Sequence, residues 1–231
     1  MKTLFAQILL LFFFISCNSS KVQSESNETA QIPIIEDNEE VISEDEVAPE
    51  ESVYINPDKL TKAYFASGCF WCVEAIYEHT KGVKEVYSGY SGGHTKNPTY
   101  ELSNTGKTGH AEAVQVIYDS SIISFEELVD IFYGTQNIEQ VNGQGPDNGS
   151  QYRTIAFYSD STEKEIIEAK VAELRAKGLK PAAEVKEFDR FWMGEEYHQD
   201  YERLHPNQSY IRAVSVPRLN RFKKDFPELV K

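Results

Sequence analysis

The sequence predicts an α+β domain over residues 61–231, a two-layer α/β sandwich with a mixed, mainly antiparallel sheet. Three observations predict it. Strand-like and helix-like stretches run in the order strand, helix, strand, strand, helix, strand, helix, without the regular alternation of a doubly wound parallel sheet. HAEAVQVIYD (110–119) alternates cleanly, with Ala111, Ala113, Gln115 and Ile117 on one face and Glu112, Val114, Val116 and Tyr118 on the other. SFEELVDIFY (124–133) opens with a capping box, Ser124 and Glu127, and then spaces Phe125, Leu128, Val129 and Phe132 along one helix face.

Each element can be justified in order. KAYFAS (62–67) reads as a strand running into Gly68. CVEAIYEHTKG (72–82) reads as a helix, with Val73, Ile76, Tyr77 and Thr80 on one side and Gly82 as its stop. Gly-Cys-Phe-Trp-Cys (68–72) therefore sits at a strand-to-helix turn. VKEVYSGYSGG (83–93) is a strand ending in a Gly-rich turn, and 94–109 is loop-rich. After the helix at 124–133, a Gly/Asn/Gln loop covers 134–151 and QYRTIAFYS (151–159) is a strand. Asp160 and Glu163 cap a helix that runs to Gly178, AEVKEF (183–188) is a short strand, and EEYHQDYERL (195–204) is a polar helix. The tail is basic and aromatic without clear form.

The amino-terminal part has a different character. Lys2 is followed by an apolar stretch from Leu4 to Ile15, too short for a membrane span and suited to a signal-peptide core. Phe14-Ile15-Ser16-Cys17 resembles a lipoprotein cleavage site, so export, cleavage before Cys17 and lipidation of Cys17 are expected; an ordinary signal peptide is the alternative. Residues 18–60 hold twelve acids against two lysines, with little apolar periodicity, and read as an acidic, disordered tether. The rest, 61–231, carries twenty basic and twenty-five acidic residues, a balance that argues against a nucleic-acid partner. Its length suffices for one well-cored domain.

Beyond Cys17 the only cysteines are Cys69 and Cys72, a pair that makes no disulfide framework and points to redox or metal chemistry. At the start of a helix, N–H groups and the helix dipole favour an anion, so a lowered pKa and a nucleophilic thiolate are expected at Cys69; a small buried core residue is the alternative. A second cysteine one helical turn on can close and release a disulfide. Zinc would want four soft ligands, and His79, His94, His110, His198 and His205 stand at no ligand spacing. Phe70 and Trp71 are either core residues or the walls of an apolar pocket for a small group such as a methyl. Glu112 shares its strand face with Val114, Val116 and Tyr118, which disfavours its charged form and suits a proton donor; a surface glutamate at a strand end is the other reading. Among thirteen tyrosines, Tyr100 and Tyr152 lie near loop ends without being distinguished from the others, and Asp147 lies in a turn-like loop.

GCFWCVEA (68–75), KGVKEVYSGYSGGHTKNPTYE (81–101), TGHAEAVQVIYD (108–119), QGPDNGSQYRTIAFY (144–158) and EEYHQDY (195–201) closely resemble the peptide-methionine (S)-S-oxide reductases, the MsrA family. The resemblance spans residues 60–205 and implies that family's ferredoxin-like α+β fold. It implies that Cys69 attacks the sulfur of methionine sulfoxide while Glu112 protonates the oxygen. Tyr100 and Tyr152 would hydrogen-bond that oxygen, Phe70 and Trp71 would hold the methyl group, and Asp147 would orient the polar network. Methionine leaves and Cys69 becomes a sulfenic acid. The implied selectivity is for the S epimer, free or in peptides, with no metal or bound cofactor.

Two departures from the family pattern matter. Many relatives carry resolving cysteines near the carboxyl end, and this chain has none after Cys72. Cys72 is therefore the expected resolving residue, giving a Cys69–Cys72 disulfide reduced by a thioredoxin-like protein; the alternative is an external thiol acting directly, with Cys72 structural. Thr135-Gln136-Asn137-Ile138 stands where relatives commonly have His-Asp-Pro, and Asn142-Gly143 where Asn-Arg is usual. His198 is expected to make a structural hydrogen bond. The expected whole is a monomeric, membrane-anchored lipoprotein of the periplasm or outer envelope that repairs oxidised proteins. A thioredoxin-like disulfide oxidoreductase, which would not need Glu112, and a peptide-binding surface lipoprotein are the competing readings. In an oxidising compartment the cysteine pair would need delivered electrons.

Overall fold

The computed structural model describes residues 56–231. The signal peptide, Cys17 and the tether up to residue 55 lie outside the described residues. Residues 56–60 already belong to the domain: the Asn56 N–H donates to Asp119 Oδ2 at 2.6 Å, and Leu60 opens the first strand.

The alternation at 111–119 builds the centre of the sheet. β3 (Ala111–Asp119) lies between β1 (Leu60–Ala66) and β2 (Val83–Ser91), antiparallel to both. Two two-residue strands, β4 (Gly143–Gln144) and β5 (Asp147–Asn148), form a separate hairpin. β6 (Ile155–Tyr158), β7 (Glu184–Glu187) and β8 (Phe191–Met193) complete a six-stranded sheet in the order β7-β6-β1-β3-β2-β8, in which β6–β7 is the one parallel pair. The mixed, mainly antiparallel sheet is thus the one the pattern predicts. Its parallel pair is bridged by a long helix, as a parallel connection requires.

Helices cover one face: α1 (Phe70–Glu78), α3 (Phe125–Gly134), α4 (Ser161–Ala176) and α6 (Val216–Asp225). Two short helices, α2 (Tyr100–Asn104) and α5 (Tyr201–Leu204), lie in the connections. Val114, Val116 and Tyr118 of β3 join Phe65, Tyr77, Leu128, Phe132 and Phe222 in the main core. Ala111 and Ala113 point the other way, into a smaller cluster with Tyr64, Ile155 and Phe157. Phe65 stacks on Tyr77 at 5.3 Å and on Phe132 at 5.2 Å, so truncating Phe132 to alanine costs about 3–5 kcal/mol. The capping box at Ser124 and Glu127 forms as predicted.

Four local expectations need correction. α1 begins at Phe70, two residues early, because Cys69 is extended and its carbonyl accepts the first turn's bond from the Cys72 N–H. The strand expected at 151–159 starts only at Ile155, because a 3₁₀ turn at Ser150–Tyr152 folds back on Gly149. The helix expected at 195–204 is broken: Asp200 is left-handed, at φ 55°, between a 3₁₀ turn at Glu196–His198 and α5. The formless tail instead makes a π-helical segment, Ile211–Ser215, running into α6, which seals the core with Leu219 and Phe222.

Candidate active site

The site begins with a turn that only glycine fits. Gly68 has φ +74°, and a Cβ there would lie 2.5 Å from the Cβ of Gln144. The turn carries β1 into α1 and puts Cys69 at the N-cap, on the wall of a pocket of about 220 Å³. Every pocket residue singled out in the sequence lines this one space: Cys69, Phe70, Trp71, Tyr100, Glu112, Asp147 and Tyr152. Gln208 and Tyr210, from the tail, complete it.

Phe70 and Trp71 are the apolar side, with ring centroids 6.2 Å apart. Phe70 is fully buried, so it is core residue and pocket wall at once. Trp71 is held from behind: it stacks on Tyr201 at 3.8 Å, and its indole N–H donates to His198 Nδ1 at 3.2 Å. Burial lowers the pKa of His198, keeping it neutral and able to accept that bond. Its structural role is thus as expected.

Glu112 is the polar side. It sits opposite Tyr90 in the β2–β3 ladder, is 2% exposed, and its Oε2 accepts the Phe70 N–H at 3.0 Å. Burial pushes its carboxyl up to about 8, the Phe70 N–H pulls it down, and Asp147 nearby pushes it further up. At neutral pH it holds a proton that it can donate. Burial also raises Tyr100 and Tyr152, which keep their hydroxyl protons. Glu195 fixes the start of α2 by accepting the Tyr100 N–H at 2.9 Å and the Tyr90 hydroxyl at 2.8 Å. Asp147, in the β4–β5 hairpin, accepts the Tyr210 hydroxyl at 2.5 Å.

Cys72 lies one turn along α1 and borders a second, smaller cavity of about 60 Å³ behind the first. Cys69 borders it too, and Tyr210 reaches within 3.9 Å of the Cys72 sulfur. Both cysteines are free thiols and buried. Here the sequence expectation is corrected. The Trp71 N–H does favour an anion at Cys69, but burial outweighs it and the hydrogen bond to Cys72 adds to burial, so the Cys69 thiol is pushed up. The lowered group is Cys72, held at about 7 by the hydrogen bond from Cys69, against burial, with help from the Arg218 cation.

The 135–138 stretch packs beside the pair. Gln136 Oε1 accepts the Ser67 hydroxyl at 2.8 Å, and the Asn137 N–H donates to Gln144 Oε1 at 2.7 Å. Gln208, Tyr210 and Arg218 escaped the sequence reading. An apolar stripe at Ile211, Leu219 and Phe222, with Pro217 at a helix start, was the signal that the tail folds back. Among the described residues, no group of three or more His, Cys, Asp and Glu side chains could hold a metal ion.

Comparison with known proteins fits this geometry. The family model described as "Peptide methionine sulfoxide reductase" matches residues 61–229. The peptide methionine sulfoxide reductase MsrA of Saccharolobus solfataricus is 44% identical over 73% of this chain and 96% of its own length. That of Pasteurella multocida is also 44% identical, over 74% and 98%. Among solved structures, methionine sulfoxide reductase A of Corynebacterium diphtheriae superposes with a TM-score of 0.60 at 31% identity, over 66% of this chain and 78% of its own. Mxr1 from Saccharomyces cerevisiae in reduced form gives 0.63 at 29%, over 68% and 92%. A family match that spans the whole described domain, on relatives covered almost end to end, means that this chain belongs to the peptide methionine sulfoxide reductases, oxidoreductases that use a thiol to reduce methionine sulfoxide.

Proposed function

We propose that this pocket reduces the S epimer of methionine sulfoxide, in proteins and free, with Cys69 as nucleophile and Glu112 as proton donor. One observation carries the reading: a buried carboxyl raised to about 8 and the sulfur of Cys69 border the same 220 Å³ space. Phe70 and Trp71 offer the substrate methyl an apolar wall. As Cys69 attacks the sulfoxide sulfur, its proton passes to Cys72 and the Glu112 proton goes to the sulfoxide oxygen. Tyr100 and Tyr152 donate to that oxygen as charge develops, and Asp147 holds Tyr210 in line. Methionine departs and the hydroxyl stays on Cys69 as a sulfenic acid. The motifs shared with the MsrA relatives support the S epimer.

Cys72 then resolves the sulfenic acid, and a thioredoxin-like protein reduces the Cys69–Cys72 disulfide. Support comes from the spacing of one helical turn and from both cysteines bordering the same 60 Å³ cavity. The pocket is complete within one chain, which supports a working monomer. The amino-terminal pattern supports an exported lipoprotein anchored at Cys17 in the periplasm or outer envelope.

The test is one turnover without reductant, followed by mass spectrometry. Wild type should release one methionine per enzyme from the S epimer, none from the R epimer, and end as a 69–72 disulfide. Cys72→Ala should release the same methionine and end as a sulfenic acid. A wild-type enzyme that ends as a sulfenic acid would refute the resolving role, and release from the R epimer alone would refute the substrate.

A further inference from the structure

Arg218 is a buried cation. It is 6% exposed in α6, and among the described residues it forms no ion pair with any carboxylate. Its donors are spent on neutral oxygens: Nε on the Thr135 carbonyl, one terminal nitrogen on the Ser67 carbonyl and the other on the Ser67 hydroxyl, each at 2.8 Å. A lone buried charge is expensive to keep, and a neutral side chain of similar volume would usually serve stability better. These bonds tie the guanidinium to β1's end, directly before the Gly68 turn, and leave its charge beside the 60 Å³ cavity that Cys69 and Cys72 border.

We infer that Arg218 is the counter-charge of the Cys72 sulfur, a positioning residue that makes Cys72 give up its proton when it attacks oxidised Cys69. This rests on Cys72 being the resolving cysteine. The other groups at the cavity do not supply that role. Arg221, the second cation lining it, is exposed to solvent, and Asp147, whose carboxylate Arg218 also favours, already accepts the Tyr210 hydroxyl. Tyr210 keeps its proton, raised by burial. Of the two sulfurs at the cavity, Cys72 is the one whose pKa the Arg218 cation lowers.

The step balances without any added reactant. The Cys72 sulfur bonds to the Cys69 sulfur and the Cys69 S–OH bond breaks. The hydroxyl leaves with the Cys72 proton as water, and the two thiols have supplied the two electrons that reduced the sulfoxide. A cation beside Cys72 weakens its hold on that proton.

The experiment is stopped-flow closure of the disulfide after one turnover, from pH 5.5 to 9.5, in wild type, Arg218→Met and Arg218→Lys, with methionine yield measured alongside. Each unit by which the Cys72 pKa rises lowers the thiolate fraction about tenfold at pH below it. Arg218→Met should still release one methionine per enzyme but close its disulfide about tenfold or more slowly at pH 7, with a trapped sulfenic acid, and recover at alkaline pH. Arg218→Lys should restore most of the rate. Unchanged closure in Arg218→Met overturns the inference. A wild type that never forms the 69–72 disulfide instead overturns the resolving role beneath it. If Arg218→Met does not fold, thiolate absorbance of Cys72 in the Cys69→Ser protein, compared with the same protein carrying Arg218→Gln, decides: a higher titration without the cation supports the inference, and an unchanged titration refutes it.

Discussion

One turn of α1 carries two sulfurs into opposite surroundings. Cys69 faces a pocket whose polar group is a carboxyl kept neutral by burial, beside two aromatic rings. Cys72 faces a tight cavity, also bordered by Cys69, where the buried Arg218 guanidinium makes no salt bridge among the described residues. The first environment offers a proton and an apolar wall; the second stabilises negative charge. Two identical side chains three residues apart are thus given different environments by what the sheet and the tail bring to each. β3 and the β4–β5 hairpin furnish the substrate side, and α6 furnishes the other. The helix start itself, which the sequence alone would credit for activating Cys69, is outweighed by burial.

The sharpest way to break this asymmetry is to swap the two losses. Cys69→Ser should abolish methionine formation altogether, whereas Cys72→Ser should still give one methionine per enzyme when no reductant is present. Equal loss in both variants would mean that the sulfurs share one task. Next in size is Glu112→Gln, which keeps the shape of the site and removes its proton. The methionine-forming step should slow about 10²–10⁴-fold, read by single-turnover quench, with folding unchanged by circular dichroism. Trp71→Ala should lower kcat/KM by about tenfold or more by opening the methyl wall, and the loss should be smaller for substrates with less bulk at sulfur. The smallest effect tests the scaffold away from both sulfurs. Ser124→Ala removes the α3 cap and should cost about 1 kcal/mol in denaturant melts while leaving turnover intact.

Much of this was legible in the residues, for local reasons. The period-two alternation of 111–119 assigned Glu112 to the helix-covered face, because a strand cannot hide which side each residue takes. The capping box at Ser124 and Glu127 marked α3 for the same kind of reason, since both partners lie within one turn. Of the pocket's nine residues, Cys69, Phe70, Trp71 and Glu112 stood out by position and alternation, and the motif resemblance added Tyr100, Tyr152 and Asp147, which pattern alone left indistinct because their meeting depends on chain closure over many residues. α2 is only five residues long, too short for periodicity to register. Tyr210 and Arg218 lay in a tail whose charges masked a stripe of Ile211, Leu219 and Phe222. The break at Asp200 was invisible, because a left-handed aspartate carries no mark in an otherwise helical polar run.

In the proposed mechanism the sulfur of Cys69 and the neutral acid of Glu112 act on one S=O bond. The most direct test is the single-turnover rate of methionine formation, without reductant, from pH 5 to 9.5 in wild type and Glu112→Gln. Because Glu112 is raised to about 8, its acid form is present below that pH and lost above it. The wild-type rate should therefore fall above about 8, and the Glu112→Gln rate should be low and free of that descending limb. A Glu112→Gln enzyme as fast as wild type, with the same alkaline fall, would contradict the claim.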